Sequence, residues 1–301
     1  MNIKKLNINY LNEKFLSSKV KARSENIIIY IAIGSFLLHL LLISLVKLNI
    51  VNLNDVTKLL NNPISAIYTP FSFILIYEVY LLVYYLPKST TIYIGKQYEI
   101  ISLIIIRRIF KDLSNLEFTS NWFQNKNDLI FMCDLLAIIA LFILIYYFYK
   151  LNSENELIRK AQVEIKPEIA RFIQLKKNIA TILVPIFLLL AVYSLTNWFI
   201  EIFVSFGKFV HDIKDINKIF FDDFFTILIL VDVLLLLFSF LHSDDFNKVI
   251  RNSGFIISTI MLKLSFGAEG ILNSFLIVCA VLFGVIILKI HNLYEKKNSL
   301  N

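Results

Sequence analysis

The sequence predicts an all-α, polytopic transmembrane bundle, most simply eight spans arranged as two tandem four-helix repeats. Of the 301 residues, 57% are hydrophobic and only 18% are charged, whereas soluble domains average about 45–50% apolar and about 25% charged residues. The apolar residues gather in blocks of about 20, the length of helix that crosses a bilayer core of about 30 Å. Composition and clustering together exclude a soluble enzyme and a disordered chain.

Eight apolar blocks follow one another along the chain. They lie at 26–48, 66–87, 97–110, 128–149, 178–202, 222–241, 253–266 and 270–290. The blocks at 97–110 and 253–266 are shorter than a span needs, so six spans plus two re-entrant or interfacial helices remain the alternative. The first block is too long for the apolar part of a signal peptide, and no cleavage site follows it, so we expect a first membrane helix there.

Basic residues set the expected orientation, because cytoplasmic loops of membrane proteins are enriched in Lys and Arg. With eight spans and both termini inside, roughly two thirds of the Lys and Arg residues fall on the cytoplasmic side, a larger excess than six spans produce. We therefore expect a cell membrane, most simply a bacterial inner membrane, as the location. The predicted regions are a cytoplasmic tail at 1–25, a first transmembrane repeat at 26–149, a cytoplasmic amphipathic linker at 150–177, a second repeat at 178–291 and a cytoplasmic tail at 292–301.

The two halves of the chain resemble each other. FSFILIYEVYLLVYYLPKSTT at 71–91 aligns with FTILILVDVLLLLFSFLHSDD at 225–245, and KQYEIISLIII at 96–106 aligns with RNSGFIISTIM at 251–261 after a single-residue gap. Internal repeats of this kind are typical of transport proteins, whose binding sites lie where the repeats meet. With four spans in each half, the two repeats would have the same orientation in the membrane. With three spans in each half, the second repeat would be inverted relative to the first.

Acidic residues near the centre of two predicted spans are the main functional signal. Glu78 falls opposite Asp232 in the alignment of the halves. An ionisable side chain in a span costs about 2.5–3.5 kcal/mol on insertion scales, so it persists where it pairs within the bundle or faces water. The two acids could line a pathway for protons or small cations, with His39 of the first span as a relay to Glu78. Alternatively, hydrogen bonds from neighbours such as Tyr77 and Tyr80 could hold them as neutral acids.

A second group of charges is expected to be structural. Arg107 and Arg108 end the third block, and Asp134 lies at similar depth in the fourth. A salt bridge across this hairpin, between Arg108 and either Asp134 or Asp128, would reduce the cost of burying both charges.

Motifs for catalysis and for metal or cofactor binding are not found in the sequence. Cys133 and Cys279 lie inside apolar blocks and do not form a CxxC pair. His211, His242 and His291 fall at or beyond the ends of spans, so they cannot ligate haem together with His39. Only seven glycines are present, and no glycine-rich phosphate loop occurs. We therefore expect no enzyme activity, no metal and no cofactor.

Two functions fit this pattern. The first is a channel or carrier for protons or small cations that uses Glu78 and Asp232. The second is a non-conducting membrane scaffold, or a membrane-perturbing effector, that acts through an oligomer or a partner protein. The expected partners are the lipid bilayer and a small cation or proton; homo-oligomer formation stays open, and no nucleic acid is expected.

Overall fold

The computed structural model describes residues 8–48, 63–113, 126–159, 167–204, 216–242 and 246–300. All regular structure in these ranges is helical, which confirms the predicted fold class. The α-helices are α1 Ile8–Phe15, α2 Ser18–Lys47, α3 Tyr68–Tyr85, α4 Thr90–Leu113, α5 Lys126–Arg159, α6 Pro167–Val204, α7 Ile216–His242, α8 Phe246–Gly267 and α9 Ile271–Leu300. A 3₁₀ helix, Pro63–Ile67, leads directly into α3.

Six helices in the described part of the chain are long and apolar enough to cross a membrane, namely α2 and α5 to α9. Together they indicate a multi-pass membrane protein. The apolar part of α3, Thr69–Tyr85, is shorter. Helix α4 has span length, but its charged side chains set it apart from the other long helices. The predicted arrangement of eight spans in two repeats is thus not established by these helices alone.

The two short apolar blocks belong to longer continuous helices. Helices α4 and α8 have 24 and 22 residues, which corresponds to about 33–36 Å at the rise of an α-helix. Each helix begins in polar sequence before its apolar block, and neither is interrupted as a re-entrant segment would be. Hydropathy underestimated their length because polar residues at a helix end do not break the helix.

The described residues of the predicted tail at 1–25 and of the predicted linker at 150–177 are mostly α-helical. Residues 8–15 form α1, and the buried Asn12 donates a hydrogen bond to Asn178 of α6 at 3.2 Å. Helix α5 continues ten residues beyond the predicted end of the first repeat, to Arg159. Pro167 is the first residue of α6, a position that proline favours because its missing N–H needs no partner there.

Neighbouring helices pack as successive hairpins. Helix α2 packs on α3, α3 on α4 and α4 on α5, and the same order holds from α6 to α9. The two halves meet mainly where α5 packs on α9 and α3 packs on α6. Each end of the bundle's helix series contacts a neighbouring helix: Lys21 near the start of α2 lies over the Tyr85 ring at the end of α3, and Asn292 of α9 donates to the carbonyl of Leu151 in α5 at 2.8 Å.

The core at the junction of the halves depends on a close approach at a glycine. The buried Tyr98 of α4 bonds Ser258 of α8 at 2.8 Å, and Ser258 donates to the carbonyl of Ala280 in α9 at 2.7 Å. A Cβ atom at Gly284 of α9 would overlap the Tyr98 hydroxyl oxygen. Glycine therefore permits the contact of α4 with α9 at this point.

Candidate functional site

Asp232 is buried and held by a side chain from the first half of the chain. The Gln97 side-chain amide of α4 donates to the Asp232 carboxylate at 3.2 Å, and its carbonyl oxygen accepts from the Thr259 hydroxyl at 2.9 Å. Because Thr259 is a donor here, it fixes the Gln97 amide with its N–H groups towards Asp232. The acid thus lies where α4, α7 and α8 meet.

A pocket with a cavity volume of about 30 Å³, part of it open to the surroundings, reaches Asp232. It is lined by Leu86, Thr90, Tyr93, Ile94, Phe172, Lys176, Asp232, Leu235, Leu236, Ser239, Asn252, Phe255 and Ile256. The lining mixes apolar side chains with two opposite charges and several hydroxyl and amide groups. Such a surface can hold water or a small polar solute beside the carboxylate.

The pocket runs inward from one end of the bundle. Asp232 lies ten residues before the end of α7 at His242, or about 15 Å along the helix axis. Thr90 begins α4, while Ser239 lies near the end of α7 and Asn252 near the start of α8, so they mark the outer part of the pocket. A polar solute entering there would meet Asp232 well below the helix ends.

Lys176 supplies a second charge to the same pocket. Its side chain is buried, and its ammonium donates to the Lys88 carbonyl and the Thr90 hydroxyl, both at 3.5 Å. Since these bonds hold the ammonium away from direct contact with Asp232, the two opposite charges share the pocket with space between them.

Glu78 has different surroundings from Asp232. It is 4% exposed, and its carboxylate lies 3.7 Å from the guanidinium of Arg107, which is 3% exposed. The tyrosines considered as its hydrogen-bond donors bond elsewhere: Tyr77 donates to Glu25 at 2.9 Å, and Tyr80 donates to the Phe15 carbonyl at 2.8 Å. A buried ion pair, not a set of tyrosine hydrogen bonds, accommodates this acid.

The sequence grouped Arg107 with Arg108 and Asp134, but the structure separates the two arginines. Arg107 lies against Glu78, while Arg108 binds Asp134 through two hydrogen bonds of 2.6 Å. Consecutive residues of an α-helix point about 100° apart, so Arg107 and Arg108 cannot face the same partner.

The Arg108–Asp134 pair is part of a larger network. Asn273 of α9 accepts from Arg108 at 2.5 Å, and Ser274 bonds both Arg108 and Asp134. Asp128, the other acid considered for Arg108, is fully buried, and neither of its carboxylate oxygens has a hydrogen-bond partner within the described ranges. The network ties α4 and α5 to α9 and has the character of a structural site.

Helix α4 meets both central acids at different depths. Asp232 contacts Gln97, and Glu78 contacts Arg107 ten residues later, so the two contacts lie about 15 Å apart along the α4 axis. The structure therefore does not bring Glu78 and Asp232 together in one site. It places them along the most polar of the long helices.

His39 lies apart from both acids. It bonds Thr69 near the start of α3, and Thr69 lies nine residues from Glu78, or about 13 Å along the axis. A direct proton relay from His39 to Glu78 is therefore not formed in this structure, because the helix rise separates them.

Two residues near Asp232, its hydrogen-bond donor Gln97 and the pocket residue Lys176, were not identified as site residues from the sequence. Gln97 lies at the edge of a short apolar block, and Lys176 counts only as one of many positive charges near a span end. A signal for Gln97 existed: the alignment of the halves sets it opposite Asn252, which lines the pocket.

Within the described ranges, no group of three or more His, Cys, Asp or Glu side chains could hold a metal ion. Comparison of the chain with protein-family models, with curated protein sequences and with solved structures gives no significant match.

Proposed function

We propose that this chain carries protons or small cations across a cell membrane and that Asp232 is the carboxylate that binds them. The observation that carries the proposal is the pocket, lined by apolar side chains and a few polar ones, that leads from one end of the bundle to this buried acid. A carboxylate at membrane depth attracts a cation strongly because the surrounding dielectric is low. The pocket supplies the water-accessible route on one side that such binding needs.

The charges around Asp232 fit reversible binding. Gln97 donates to the carboxylate and so stabilises its charged form, while Lys176 places a positive charge in the same pocket without contacting it. The ammonium limits how tightly a cation can bind, since it repels any cation that enters. Moderate binding of this kind suits transport, which requires both uptake and release.

Glu78 has a smaller part in this proposal than Asp232. Because Arg107 already balances its charge at 3.7 Å, an incoming cation would have to compete with a buried guanidinium. We propose that the Glu78–Arg107 pair closes the path beyond Asp232 and that any passage requires this pair to separate.

The proposed topology is eight spans with both termini in the cytoplasm of a bacterial cell. The contacts of α2 with α3 and of α5 with α9 support it, because they hold the start of α2 and the end of α9 at one end of the bundle. The same order of hairpin packing from α2 to α5 and from α6 to α9 supports two repeats of four helices.

Ion flux in proteoliposomes tests the proposal. Purified protein is placed in vesicles with an imposed proton, Na⁺ or K⁺ gradient, and flux is followed with an ion-sensitive dye. We expect flux from the unmodified protein, a loss of at least tenfold in Asp232→Asn, and normal flux in Asp223→Asn, which alters an exposed acid on the same helix. Full flux in Asp232→Asn would remove this residue from the pathway.

The scaffold alternative has one observation in its favour. Two of the acids at membrane depth, Glu78 and Asp134, are matched by buried or partly buried arginines, as in a rigid structural core. Absence of flux for all three cations, together with a correctly folded protein in the vesicles, would favour this alternative.

A further inference from the structure

Three lysines converge on two tyrosine rings at the end of the bundle where the pocket opens. Lys21 of α2 lies 5.8 Å from the Tyr84 ring centre and 5.5 Å from that of Tyr85. Lys88, in the turn between α3 and α4, lies 5.3 Å from the Tyr84 ring, and Lys96 of α4 lies 5.3 Å from the Tyr85 ring. These five residues are called the lysine–tyrosine cluster below.

Negative charge in the cluster balances only one of its lysines. Glu99 pairs with Lys96 at 2.6 Å and also accepts from the Tyr149 hydroxyl at 2.5 Å. Lys21 bonds the Tyr85 hydroxyl at 3.3 Å, and in the described part of the chain neither Lys21 nor Lys88 contacts a carboxylate. Two positive charges thus lie near the Tyr84 ring without a carboxylate partner in this part of the structure, and an anion placed there would be attracted to both.

The helix ends at the cluster also favour an anion. Lys21 lies in the first turn of α2, after Ser18, and Lys96 lies in the second turn of α4, after Thr90. The amino-terminal end of a helix carries partial positive charge, which repels lysine and attracts anions such as phosphate. The amino terminus of α2 and the ammonium groups of Lys21 and Lys88 therefore act in the same direction.

We propose that the lysine–tyrosine cluster binds the phosphodiester headgroup of an anionic phospholipid. The bilayer interface is the source of the anion that we propose, because the cluster lies at the ends of helices with exposed apolar side chains, such as Leu37 and Leu41 of the candidate span α2. Tyrosine is also typical of the interfacial layer of membrane proteins. The proposal depends on membrane insertion but not on ion transport, so either can fail without the other.

Lipid retention measured by native mass spectrometry tests this proposal. The protein is extracted from vesicles made of equal parts phosphatidylcholine and phosphatidylglycerol, and the bound lipids are counted. We expect phosphatidylglycerol to remain bound to the unmodified protein. Each of Lys21→Gln and Lys88→Gln should weaken retention about fivefold, given about 1 kcal/mol per lysine near an anionic surface.

The matched controls are Lys289→Gln and Lys297→Gln. Both remove an exposed lysine towards the carboxyl-terminal end of α9, outside the lysine–tyrosine cluster. They should retain phosphatidylglycerol normally, and Lys21→Arg with Lys88→Arg should retain most of the binding. Circular dichroism checks that each variant is folded. Because Lys88 is exposed, we expect Lys88→Gln to fold, and it decides the outcome if Lys21→Gln misfolds.

Equal retention in the cluster variants and the controls would overturn the proposal, as would equal retention of phosphatidylcholine and phosphatidylglycerol. A parallel titration with inorganic phosphate in detergent separates the two sources of phosphate. Protection of the protein against heat by inorganic phosphate, without selective retention of phosphatidylglycerol, would also contradict a lipid site.

Discussion

Two buried acids on α5, Asp134 and Asp128, should respond very differently to the loss of their charge. Both side chains have no exposed surface, so burial does not distinguish them. Asp134 receives two hydrogen bonds of 2.6 Å from Arg108 and a further one from Ser274. Among the residues that the structure describes, the carboxylate oxygens of Asp128 have no hydrogen-bond partner. Asp134→Asn removes an ion pair, whereas Asp128→Asn removes only an unmatched charge.

The expected magnitudes follow from this contrast. Removing one partner of a buried ion pair costs about 3–5 kcal/mol of unfolding free energy. The Arg108 side chain is 29% exposed, so water can partly solvate the guanidinium that is left alone. We therefore expect Asp134→Asn to lose about 3 kcal/mol, at the lower end of that range. Asp128→Asn should lose less than about 1 kcal/mol, because no hydrogen bond is broken.

Unfolding in detergent micelles, followed by circular dichroism, measures both losses under the same conditions. Arg108→Gln should lose about as much as Asp134→Asn, and the double variant should lose less than the two single losses together, since they share one interaction. Equal losses in Asp134→Asn and Asp128→Asn would show that the Arg108 network does not stabilise the bundle.

Two further predictions concern packing and the pocket. Gly284→Ala should destabilise the protein by about 1–3 kcal/mol, because its Cβ would meet the buried Tyr98 hydroxyl. Gly34→Ala is the control: a Cβ atom at Gly34 has no other atom within 4 Å, so this variant should not lower the melting temperature. A Gly284→Ala protein as stable as Gly34→Ala would contradict the close contact of α4 with α9. Gln97→Leu should lower both thermal stability and ion flux, because it leaves Asp232 without this donor, although the Thr259 hydroxyl keeps the Phe255 carbonyl as an acceptor. Unchanged flux in Gln97→Leu would show that Gln97 does not support the function of Asp232.

Hydropathy predicted the α-helical class and the positions of most helices because the lipid-facing parts of a span must be apolar along their whole length. Hydropathy underestimated the length of α4, because the polar residues of this helix face other helices. Gln97 bonds Asp232, Arg107 contacts Glu78 and Arg108 binds Asp134. A helix surrounded by partners can carry charges that would be too costly beside lipid, so average hydropathy underestimates it.

The identity of the site followed from the sequence only in part. The position of Asp232 inside a span was visible as an acid among apolar residues, and so was that of Glu78. Which of them faces the pocket depends on the rotation of each helix about its axis, which packing determines. Lys176 shows the same limit: near the end of a span, a lysine that points to solvent and one that is 7% exposed look alike in sequence.

The access of water to Asp232 can be measured directly with cysteines on α7. Leu236 lines the pocket one turn from Asp232, whereas Leu230 is 65% exposed on a lipid-facing surface. In a protein whose native cysteines are replaced by serine, Leu236→Cys should react with a membrane-impermeant thiol reagent from one side of the membrane only, and Leu230→Cys should not react. No reaction at Leu236→Cys from either side, in a folded protein, would contradict a pocket that connects the aqueous phase to Asp232.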